Sequence, residues 1–70
     1  MSAVYLLETT AHAADGDGRL RLKLAVEANT AHDAVQRAGR ITSRRWHRAN
    51  TWRTIGGVTV ELLGEYEVVR

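Results

Sequence analysis

The chain has no cysteine, no proline and no phenylalanine, and a single methionine. Without cysteine there are no disulfides and no thiolate metal sites, and a secreted disulfide scaffold is not expected. The cytoplasm is the default compartment. Without proline, only glycine punctuates the chain. No apolar run is long enough to span a bilayer, so no membrane association is expected. The opening residues M-S-A-V-Y-L-L-E lack the basic flank and long apolar stretch of a signal peptide. Familiar enzyme signatures are missing too. No serine sits in a nucleophile elbow, and no glycine-rich loop leads from a strand into a helix. His32 and Asp33 adjoin in sequence, but neighbours on a helix do not face each other. No catalytic residue and no cofactor are expected, and the chain does not read as an enzyme.

Seventy residues make one domain. A core of this size supplies about 3–5 kcal/mol without help, and with disulfides excluded the natural supplement is self-association.

Thr30 to Arg53 dominates what is there. It holds the one convincing helix, both tryptophans and most of the arginines. Thr30-Ala31-His32-Asp33 approximates a capping box, with the Thr30 hydroxyl positioned to accept from the Asp33 amide. Ala31, Ala34, Val35, Ala38, Ile41 and Thr42 share one face at helical spacing. Arg37, Arg40, Arg44 and Arg48 stripe the opposite face. Arg45 breaks the pattern: its stem snorkels outward, or the helix changes course near Ser43. Asn50 is the expected stop.

The flanks read as strands. Residues 3–10 carry the apolar run Val4 to Leu7, which predicts a central strand with contact on both faces. Residues 11–18 form a loop containing Asp15-Gly16 and Asp17-Gly18, turn dipeptides that resemble part of a calcium loop but lack its later glutamate. In residues 19–27 Leu20, Leu22, Leu24 and Val26 alternate with Arg19, Arg21, Lys23 and Glu27, predicting a half-buried strand. Residues 51–57 are read as an irregular connection, the other reading being a short extra strand with Gly56-Gly57 as a hairpin turn. Residues 58–69 predict the last strand. Val58, Val60, Leu62, Tyr66 and Val68 share its core face, and Gly64 marks a bulge or bend. A strand so long needs a partner, in a fold-back at Gly64 or in a second subunit.

The expected fold is therefore α+β, β-β-α-β. A small antiparallel sheet in order 2-1-3 carries one helix across one face, and a right-handed return from the helix sets the last strand beside the first. The junction Val26 to Val35 resembles the strand-to-helix turn of many small α+β domains. Arginine outnumbers lysine nine to one and alanine is abundant. In this respect the chain resembles small proteins of actinobacterial phages or their hosts, which implies a host-directed binder.

Arg37, Arg40, Arg44, Arg45, Trp46, Arg48, Trp52 and Arg53 interleave guanidinium groups with indoles, a pattern suited to phosphate pairing and base stacking. The first functional expectation is nucleic-acid binding through the helix and the following loop. The plainer reading makes the arginines a solvated face and sets a tryptophan over the core edge. The alternative is a protein-interaction module, homodimeric or directed at an acidic host protein. Its dimer interface is placed on the last strand, at Glu61, Leu63, Glu65, Glu67 and Val69. His12, His32 and His47 lack metal-site spacing, so no metal is expected.

Overall fold

In a computed structural model, residues 2–50 and 53–68 are described. The order is β1 (Ala3–Ala13), β2 (Arg19–Ala28), α1 (Ala31–Ala49) and β3 (Ile55–Glu67). The sheet is antiparallel in the order β2-β1-β3, with α1 packed on one face. The predicted α+β architecture and strand order both hold.

β1 runs three residues further than its composition suggests. Ala11 and His12 pair with Leu20 and Arg19, and Ala11 to Ala13 pair with Val58 to Ile55. Weak strand formers are held there by partners on both sides. Ala11 and Ala13 are buried in a cluster with Trp46. The loop between β1 and β2 thus shrinks to a tight turn. Gly16 and Gly18 adopt φ of +79° and +136° there, values glycine accepts at no steric cost. The Asp17 amide donates to Asp15 Oδ1 at 2.9 Å, an Asx turn.

α1 starts and stops where its cap residues predict. Thr30 accepts from the Asp33 amide at 3.1 Å, and Asn50 closes the helix by donating its backbone N–H to Trp46 O. Ala34, Ala38, Thr42 and Trp46, one turn apart, form the ridge buried against the sheet. Ile41, expected in the core, is half outside it at 36% exposed. Opposite the ridge, Tyr5, Leu7, Thr9, Ala11 and Ala13 of β1 form the buried floor. The small Ala11 and Ala13 of β1 leave room for the indole of Trp46, which supplies the bulk that phenylalanine would otherwise provide. Contact on both faces of β1 is only partly realised. Leu6, on the face away from α1, is 36% exposed, because nothing among the described residues covers that face.

β3 departs most from expectation. It begins at Ile55, so Gly56 and Gly57 lie within the strand, and the described residues form no extra strand near 53–57. Residues 51 and 52 lie outside the described residues. The chain does not fold back at Gly64. β1 pairs instead with β3 along its length, and two register shifts leave Gly56 and Leu63 as extra residues. A bulge inserts one residue and reverses the facing of the strand beyond it. Leu62 still pairs with Leu7, but Gly64 pairs with Leu6, Glu65 with Tyr5 and Tyr66 with Val4. Tyr66 therefore joins the face away from the helix, at 58% exposed. The expectation that it shares a core face with Val58, Val60 and Leu62 is corrected.

Candidate functional site

The helix decides which arginines are available. At 100° per residue, the face opposite the Ala34–Trp46 ridge carries Arg40 and Arg44, flanked by Arg37 and Arg48. All four are exposed. Arg45 is exposed as well, and α1 runs unbroken through Ser43, so its side chain leaves the core side without a kink. At a rise of about 1.5 Å per residue, Arg37 to Arg48 spans roughly 16 Å.

Among the described residues no acid pairs with this face. Asp33 is the only acidic residue of the helix and sits in its first turn. Among the described residues the single ion pair is Arg21 to Glu8, 3.9 Å apart, on the sheet. Arg40–Arg44 and Arg44–Arg48 are like-charge pairs at i,i+4, each unfavourable by about 0.2–0.5 kcal/mol. Part of the block has a structural role. Arg37 Nη1 donates to Glu27 O at 3.0 Å, tying the helix to the end of β2. Arg48 and His47 lie in the last turn, where cations complement the helix dipole.

Two members of the expected binding set are taken by the fold. Trp46 is 1% exposed and packs on Ala11 and Ala13. Its Nε1 donates to Arg53 O at 3.3 Å, so its ring offers no stacking surface. Arg53 is half-buried and donates from Nη1 to Asp17 O, clamping the β1–β2 turn. Nothing in the sequence signals that clamp, because its partners lie 36 residues apart. Trp52 and Val69 lie outside the described residues.

The residues expected at a dimer interface are split by the Leu63 bulge. Glu61 pairs with Glu8 on the face away from α1. Leu63 is 51% exposed. Glu65 and Glu67 pair with Tyr5 and Ala3 and share the helix side. They do not form one outward acidic row with Glu61, as alternation alone predicts.

Two of the depressions among the described residues bear on these groups. One, of about 640 Å³, is lined by Tyr5, Asn29, Glu65 and Glu67 near the start of α1. Tyr5 donates its hydroxyl to Glu65 Oε1 at 3.1 Å. Its pKa is raised above the ordinary tyrosine value, by desolvation first and then by the hydrogen bond and negative charge of Glu65. The other, of about 540 Å³, is a groove between α1 and β3, with Val35, Gly39 and Val58 along it and Arg40 and Arg44 at its rim. No group of three or more potential metal ligands comes together among the described residues. None of their helices is long and apolar enough to cross a membrane. No family model, curated protein or solved structure matches the chain.

Proposed function

We propose that the chain is a small non-enzymatic binding module whose arginine face on α1 engages the phosphate backbone of nucleic acid. One observation carries this reading. Arg40, Arg44, Arg45 and Arg48 are exposed on a capped helix, and among the described residues no acidic side chain pairs with any of them. A helix shaped by stability alone gains from acids placed at i,i+4 to its cations. This one keeps the repulsion. With Trp46 buried, the contact is to backbone and carries little sequence preference.

Binding of a labelled oligonucleotide, followed by anisotropy across a salt series, tests the proposal. Neutralising about four phosphates gives a log–log slope near −3 to −4. Arg44→Ala/Arg45→Ala/Arg48→Ala is expected to reduce affinity and flatten the slope. A slope near zero, or a triple variant that binds as the parent does, would refute the reading.

A specific observation favours a second reading, an acidic protein partner. Arg40 and Arg44 border an apolar groove, which a phosphate backbone has no use for. Capture of one acidic protein from nuclease-treated lysate, lost with Arg40→Ala/Arg44→Ala, would select it.

A further inference from the structure

β3 is an edge strand of 13 residues, and the described residues place nothing along its outer edge. The helix leaves its side of β3 incompletely covered. Val58 and Val60 are half-buried and Leu62 is 45% exposed. Above them lies the groove rimmed by Arg40 and Arg44. No heavy atom comes within 4 Å of the point where a Gly39 Cβ would sit, so the groove is open on its helix wall.

The helix side of β3 is also polarised along its length. It reads Val58, Val60, Leu62, then Glu65 and Glu67 once the bulge has reversed the facing. The cations stand at the Val58 end and the acids at the other. We infer that β3 is a self-association edge: two copies pair their β3 strands antiparallel about a two-fold axis near Glu61–Leu62, setting Glu65 and Glu67 of each copy toward Arg40 and Arg44 of the other.

Charge and symmetry select this occupant. Counting ladder levels from an axis at Leu62, with Leu63 surplus, the level of Val58 meets Glu67 of the second copy and the level of Val60 meets Glu65. The same contact forms twice, as an isologous interface requires. Parallel pairing would set acid against acid. Pairing of β3 with a β2 edge fits less well. The cations of β2, Arg19, Arg21 and Lys23, lie on the face away from α1, while Glu65 and Glu67 lie on the helix side. Backbone pairing of two edges satisfies N–H and C=O groups that otherwise stay open. Leu62 of one copy then meets Leu62 of the other at the axis, and the Glu65–Glu67 end of each copy lies beside the Val58–Val60 end of the other. The inference goes beyond the nucleic-acid reading and stands without it.

Sedimentation equilibrium on nuclease-treated protein, from micromolar to submillimolar concentration, tests it with two charge reversals. One is Arg40→Glu/Arg44→Glu. The other is Glu67→Arg, with Glu65 left in place because Tyr5 donates to it. All three positions are exposed, so the fold is expected to survive, with circular dichroism as the check. The parent is expected to be a dimer. Each variant alone is expected to dimerise at least about tenfold more weakly, since attraction becomes repulsion at two symmetric places. A one-to-one mixture of the variants is expected to recover dimers, because each reversed site then faces an opposite charge. A monomeric parent, variants that dimerise like the parent, or a mixture that stays monomeric would each overturn the inference. Nucleic-acid binding is scored separately with Arg45→Ala/Arg48→Ala, outside the groove, so the two proposals fail independently.

Discussion

Thr9 and Thr42 are both 0% exposed, and their hydroxyls meet between β1 and α1. Their protons can be assigned by counting. Thr42 Oγ1 lies 2.8 Å from Ala38 O, an atom that only accepts, so Thr42 donates there. Thr9 must then donate to Thr42. The two substitutions to valine, similar in shape, are therefore unequal. Thr9→Val removes a donor but leaves the Thr42 proton satisfied. Thr42→Val leaves the Thr9 hydroxyl buried with no acceptor. Orphaning a buried donor costs about 1–3 kcal/mol, whereas removing both partners in matched shapes is close to neutral. Valine and threonine have similar helix propensities, so the difference does not arise from α1 itself. The expected order is Thr42→Val least stable, Thr9→Val within about 1 kcal/mol of the parent, and the double variant near the parent or above it. For a domain worth about 3–5 kcal/mol, the first change removes a large share of stability. With a urea slope of about 1 kcal/mol/M, it lowers the midpoint by roughly 1–3 M. Urea unfolding followed by far-ultraviolet circular dichroism reads all four proteins. If Thr9→Val costs as much as Thr42→Val, or the double variant costs their sum, the proton assignment is wrong.

Two glycines should respond in opposite ways. A Cβ at Gly56 would lie 2.8 Å from Ala14 Cα and 3.0 Å from Ala13 O, backbone atoms that cannot swing aside. Gly56→Ala is expected to destabilise by about 1–3 kcal/mol. Gly39→Ala meets open space inside a helix and is expected to stabilise by about 1 kcal/mol; thermal midpoints moving the same way would refute this. Tyr5 supplies a pH test. Its folded pKa lies above the ordinary 10.0, so its contribution is intact below pH 10 and is lost as pH rises through the folded value. Phenolate absorbance in a Tyr66→Phe background should titrate above 10, and Glu65→Gln should lower that midpoint while leaving the desolvation component. A midpoint at or below 10 in the parent background would contradict the contact.

Architecture was legible wherever local chemistry and periodicity spoke together. The Thr30 cap fixed the start of α1, and the two-sided run Val4 to Leu7 identified the central strand. The alternation of Leu20 to Val26 fixed the face of β2. The candidate site was less legible. Trp46 continues the i+4 series Ala34, Ala38, Thr42, so its burial was readable by spacing, but its arginine neighbours argued for the surface. Arg53 could not be read at all, because its role depends on a turn distant in sequence. The facing of Glu65 and Glu67 was hidden for a related reason. Alternation within one strand says nothing about an extra residue, which is defined only by the strand opposite.

The surplus residue has a direct test in the length of β3. Leu62 pairs with Leu7 and Gly64 with Leu6, so Leu63 is surplus to the ladder. Deleting Leu63 would join Leu62 to Gly64 with every facing preserved: Leu62 and Glu65 on the helix side, Gly64 and Tyr66 on the other. The residue is 51% exposed, so little burial is lost. Deleting Thr59 instead would break the alternation in the regular stretch before the bulge and turn either Val58 or Val60 away from the helix, costing apolar burial on the order of 1.5–3 kcal/mol. The deletion of Leu63 is expected to fold with an unchanged or raised urea midpoint, and the deletion of Thr59 to lose most of its stability. Bulges also guard exposed strand edges against pairing. Removing this one should strengthen association through β3, read as a larger sedimenting mass at a given concentration. If the Leu63 deletion unfolds while the Thr59 deletion folds, the chain reads β3 in simple alternation, and the placement of Glu65 and Glu67 beside the helix falls with it.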